Sequence, residues 1–109
     1  MATIYKVLGQ SAPAATTPTT LYTAPASTQT VVSTISVTNR SVGEVAFRIA
    51  IRPAGETLAN KHYIAYDAKV TGNDTTFITV GATLGATDVI TVYAATVDLS
   101  FSAFGSEIA

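Results

Sequence analysis

The chain has 109 residues, with six Lys and Arg against seven Asp and Glu, one His and no Cys. A formal charge of −1 lacks the basic field that nucleic acid or an anionic membrane surface requires, and the missing cysteines remove disulfides, thiol nucleophiles and cysteine-ligated zinc. Charged residues make up 12% of the chain, about half the usual share of roughly 25%, so few groups are left for acid–base chemistry.

Hydrophobic residues make up 48% of the sequence, yet no stretch approaches the roughly 20 apolar residues of a membrane-spanning helix. The start, Met1 to Gly9, has one charge and too short an apolar run for a secretory signal, so synthesis in the cytoplasm is expected. The apolar excess lies in β-branched residues: 19 Thr, 11 Val and 8 Ile. Such side chains fit a pleated sheet and lose rotamer freedom in a helix.

Apolar residues recur at every second position. In chain order, Ala2 to Leu8 is a first strand, and Gly9 to Pro18 an Ala-, Pro- and Thr-rich loop. Thr19 to Ala24 is a second strand, ended by Pro25, which has no ladder donor. Thr30 to Asn39 is the third, with Val31, Ser33, Ile35 and Val37 on its buried face. Glu44 to Arg52 alternates most clearly, turning Val45, Phe47, Ile49 and Ile51 inward and Arg48 and Arg52 outward. After Pro53 and a loop, His62 to Val70 places His62, Ile64, Tyr66, Ala68 and Val70 on one face. A tight turn at Thr71 to Asp74 leads into Thr75 to Val80. Gly81 to Thr87 reads as a flexible connection, followed by strands over Asp88 to Ala95 and Val97 to Phe104. About eight short strands, turn signals between them and no long helix predict an all-β chain: one antiparallel β-sandwich, jelly-roll or immunoglobulin-like, over residues 1–109, with residues 1–20 as a possible extension. The expected core is Ile35, Val37, Phe47, Ile49, Ile51, Ile64, Ile78, Val92, Leu99 and Phe101.

Catalytic patterns are scarce. His62 has Tyr63, Tyr66 and Asp67 near it, but no nucleophile elbow or Ser-x-x-Lys signature accompanies it; its plain reading is a histidine at a strand start. Asp67, Asp74, Asp88 and Asp98 stand apart, without calcium-loop spacing, and are read as turn residues. No enzymatic activity, cofactor or metal site is therefore expected. Residues 7–39 contain no charge, and charge depletion beside Tyr and Leu is the composition of an interface core. Leu21, Tyr22 and Pro25 are therefore candidate assembly contacts. Arg40, Arg48 and Arg52 are candidate polar contacts, the last two sharing a face roughly 13 Å apart by strand rise; a solvated or salt-bridged sheet face is the plain alternative.

The segments Leu21 to Ala26, Val31 to Asn39 and Ala46 to Ile51, together with Thr87 to Ala94 and Phe101 to Ile108, resemble small virion structural proteins of tailed bacteriophages, including those that infect cyanobacteria. The resemblance implies a non-enzymatic protein of the virion. A capsid decoration or cement protein on the outer shell is the first expectation, with the major capsid protein and copies of itself, as dimer or trimer, for partners. A tail, neck, baseplate or fibre component is the second, a host-surface adhesin if Tyr22, Tyr63, Tyr66 and Tyr93 stack on glycans, core or cross-strand packing being the plain reading of those rings. A free carbohydrate-binding module is a third.

Overall fold

The structure, a computed structural model, describes residues 2–109; Met1, included in the expected domain, lies outside them. Eight strands run in order: β1 (Thr3–Ser11), β2 (Thr19–Thr23), β3 (Gln29–Asn39), β4 (Val45–Arg52), β5 (Tyr63–Val70), β6 (Thr75–Leu84), β7 (Val89–Ala94) and β8 (Leu99–Ile108). The regular elements between them are single 3-10 turns at Pro53–Gly55 and Asn60–His62. The strands form two four-stranded antiparallel sheets: sheet A in the order β1-β8-β3-β6, and sheet B in the order β2-β7-β4-β5. The pairs β1 with β8, β2 with β7, β3 with β6 and β4 with β5 are nested, as when one long hairpin is rolled up. That is the jelly-roll form of the β-sandwich.

The two inner faces meet over a continuous core in which the Phe47 ring of β4 packs edge-on against Phe101 of β8, centroids 6.2 Å apart. Ile35, Val37, Ile49, Val92 and Leu99 are buried around them, and Ile51 and Ile78 are partly buried against the cluster. Ile64, expected inside, is 50% exposed. The cause is a bulge. Phe47 pairs with Ala68 and Ile49 with Ala65, so Tyr66 and Asp67 together oppose Arg48. Asp67 adopts φ +51°, a left-handed conformation that Asp tolerates better than most residues. The extra residue reverses the alternation: Ala65, Ala68 and Val70 turn inward, Ile64 and Tyr66 outward.

Bulges account for the other departures from simple alternation. A register shift at Ser33 buries Val32 and turns Val31 toward the surface. Opposite it, Gly81 takes φ +60°, so the expected flexible connection is the bend of one strand that continues to Leu84. In β2 a shift between Thr20 and Tyr22 lets consecutive residues Leu21 and Tyr22 both point inward. At Gly105 of β8 a Cβ would lie 1.9 Å from the Val31 carbonyl oxygen, so only glycine allows β3 to pack so close there.

Candidate assembly interface

Sheet B's outer face is occupied by its own side chains. Arg48 lies between two tyrosines, its guanidinium carbon 4.2 Å from the Tyr66 ring centre and 4.3 Å from that of Tyr93. Its Nε donates to Asp67 Oδ1 at 2.7 Å, and that bond is the first reason its pKa lies above the ordinary arginine value. Arg52 Nε donates to Thr91 Oγ1, and its Nη1 to the carbonyls of Gly55 and Glu56. Arg40 donates from Nε to Ser100 Oγ and from Nη2 to the Val97 carbonyl. All three arginines hold their own strands and loops together. Tyr63 meets Tyr66 edge-on at 4.9 Å, and with Asn60 they line a shallow depression.

Leu21 and Tyr22 lie in the core, 6% and 7% exposed, while Pro25 is exposed in the loop after β2. Tyr22 instead anchors a polar tie between the sheets: its hydroxyl donates to Glu107 Oε2 and lies 2.8 Å from Thr30 Oγ1. Burial, and then the bond to Glu107, push the Tyr22 phenol up to about 12. The same bond holds the Glu107 carboxyl below the usual carboxylate range, against the opposing effect of desolvation. Lys6 Nζ completes the tie at 3.2 Å from Glu107 Oε1.

His62 is nearly buried in the turn before β5. Its Nδ1 accepts from the Ala59 N–H, which fixes the proton on Nε2 facing Glu56 Oε1 at 3.2 Å. These contacts pin the loop that joins β4 to β5. Among the described residues no group of three His, Asp or Glu is placed to hold a metal ion.

Sheet A's outer face is of a different kind. Strand pairing lays out its rows: Tyr5, Ser106, Val31 and Thr83; Val7, Phe104, Thr34 and Thr79; Gln10, Ser102, Ser36 and Phe77; and Ser100, Thr38 and Thr75. None of these residues is charged. Sheet A's strands hold only two charges, Lys6 and Glu107, and both are committed to the tie with Tyr22. Tyr5 is 83% exposed, Phe77 69% and Val7 47%, while Tyr5, Val31 and Phe104 border a shallow groove that Lys6 also lines at the β1 edge. The sequence held one signal for this face: Phe77 and Ile78 are adjacent, so in an extended strand one of two large apolar side chains must point away from the core. No family model matches the chain, nor does any curated protein or solved structure.

Proposed function

We propose that this chain is a non-enzymatic bacteriophage virion structural protein: a capsid decoration or cement protein that binds the outer shell and stabilises contacts between major capsid subunits. The observation that carries the reading is the outer face of sheet A, whose strand rows bear no charge, with Lys6 and Arg40 reaching it only at its margins. A lone domain keeps mixed charges on its exposed sheet faces and edges. A face of hydroxyls with protruding Tyr5, Val7 and Phe77 has the composition of an interface centre. The resemblance of the sequence to small phage virion proteins supplies the partner; jelly rolls serve viral capsids and lectins alike, so the fold does not choose between them. The mechanism is linkage: a protein that binds the assembled shell and not its free subunits shifts the equilibrium toward the shell, and symmetric copies multiply the effect.

Quantitative gel analysis of purified virions tests this reading. On the order of hundreds of copies per particle is the result expected for a decoration protein, together with earlier genome release on heating when the protein is absent. Absence from virions, or unchanged heat resistance without it, sinks the proposal. The paired rings of Tyr63 and Tyr66 beside Asn60 favour a second reading, a tail component that contacts host glycans through sheet B. On that reading the copy number falls to about a dozen or fewer, and Tyr63→Ala abolishes binding on a glycan array.

A further inference from the structure

A jelly roll has four sheet edges, and three of them here are blunted. Strand β2 has five residues, with Pro18 before it and Pro25 after it. Strand β1 approaches β2 so closely that a Cβ on Gly9 would lie 2.1 Å from the Leu21 carbonyl oxygen. Strand β5 is broken by its bulge at Asp67 and carries Lys69. Bulges, charges, prolines and short length are the usual protections of an edge. Strand β6 differs: ten residues, no charge and no proline, with β3 as its single neighbour in the sheet.

The ladder shows which of its backbone groups are free. The Asn39 N–H donates to the Asp74 carbonyl at 2.9 Å, and Thr38 pairs with Thr75, Val37 with Thr76, Ile35 with Ile78. In an antiparallel pair the bonding residues alternate. Residues 74, 76 and 78 therefore face β3, and Thr75, Phe77 and Thr79 direct their backbone groups away from it. The Thr75 N–H is taken by Asp74 Oδ1 at 2.8 Å. Left without a partner are the Thr75 carbonyl and both groups of Phe77 and Thr79. Beyond Val80 the bend at Gly81 ends the flat edge.

We propose that β6 pairs antiparallel with β6 of a second copy, about a two-fold axis through Phe77 and the partner's Phe77. In this register each Phe77 exchanges both backbone bonds with its mate, and each Thr79 N–H meets the partner's Thr75 carbonyl. Four of the five free groups are matched in this way, the Thr79 carbonyl alone facing a Thr75 N–H already engaged by Asp74, and the matching is self-complementary, as an isologous contact requires. A second copy also fits the charge pattern, because a strand without charge brings no like charges together when it meets itself. The 69% exposed Phe77 ring gains a cross-strand aromatic partner. Gly81 limits the contact to one short register and closes the assembly at two chains. The inference deepens the reading above: the dimer joins two sheets A into one eight-stranded sheet with a continuous charge-free face for the capsid.

The chain has no cysteine, so Phe77→Cys is a clean probe. Directly opposed residues in a hydrogen-bonded pair lie about 5.5 Å apart at Cα, within disulfide range. Under mild oxidation F77C converts to a covalent dimer at least tenfold faster than Tyr5→Cys, an exposed site on the same face but off the edge. Native sedimentation gives twice the chain mass, and Phe77→Lys returns it to one while circular dichroism stays unchanged. A native monomer at several hundred micromolar, or F77C cross-linking no faster than Y5C, overturns the proposal. The measurement needs no virions: a dimer absent from particles contradicts only the capsid reading, and a monomer that still coats them contradicts only the dimer.

Discussion

The two outer faces of this jelly roll solve the same surface problem in opposite ways. Sheet B turns its charges outward and satisfies them locally: Arg48 is held by Tyr66, Tyr93 and Asp67, and Arg52 by Thr91 and the turn after β4. Sheet A commits its only two charges, Lys6 and Glu107, to the tie with Tyr22 and leaves its outer face to hydroxyls and exposed Tyr5 and Phe77. Charge placement thus separates a face that stabilises its own chain from one that has little to do within it. The low overall charge of the sequence is concentrated on one side of the molecule.

Disrupting the tie should have the largest effect on stability. Glu107→Gln removes the carboxylate that accepts from Tyr22 and pairs with Lys6, leaving nearly buried polar groups poorly matched. A loss of about 1–3 kcal/mol is expected in urea unfolding. On sheet B, Arg48→Met keeps the stem but removes the cation between two rings and the bond to Asp67; a smaller but measurable loss is expected in the same unfolding assay, because water screens the pair. The double variant Tyr5→Thr and Val7→Thr on sheet A should stay within about 0.5 kcal/mol of wild type. If that pair cost as much as Arg48→Met, the division between the faces would be lost.

The tie also sets a pH signature. The Glu107 carboxyl sits below its ordinary value, so its contribution is complete above the unfolded carboxylate range, near 4.3, and is lost as pH falls through the lower folded value. Tyr22 is raised from 10.0 to about 12. Its contribution is complete below pH 10 and lost as pH rises through about 12. Glu56, held low first by its bond from His62, adds to the acid limb. Chemical denaturation from pH 2 to 12 checks both limbs: E107Q should flatten the acid limb and keep most of the alkaline one, because burial is the first cause of the Tyr22 shift.

Period-two patterning was enough to place the sandwich, most of its strands and nearly all of its expected core, because strands buried on one face leave a strong alternation. It failed wherever the chain added a residue. Ile64 and Val31 were assigned to the wrong face because the bulges at Asp67 and Ser33 depend on pairing partners in β4, β6 and β8, far along the chain. The reading of the arginines as contacts rested on residue type and a shared face, with a salt-bridged face as the alternative; their intramolecular partners, Asp67, Thr91 and Ser100, become neighbours only after folding. Leu21 and Tyr22 stood out in an uncharged stretch, and that stretch spans a core strand as well as the open face. Tyr5 and Phe77 were not singled out: an outward aromatic looks the same in sequence as a buried one, and the adjacency of Phe77 and Ile78 says only that one of the two turns outward.

The most direct test of the central claim, that the outer face of sheet A is the docking surface, is virion occupancy of two charge-bearing variants. Tyr5→Lys with Val31→Lys places charge on that face away from β6, and Tyr63→Lys places it on sheet B. With both proteins folded and supplied in equal amount, occupancy of the sheet A variant should fall at least tenfold while that of the sheet B variant matches wild type. Equal occupancy of the two, or loss confined to the sheet B variant, would contradict the account.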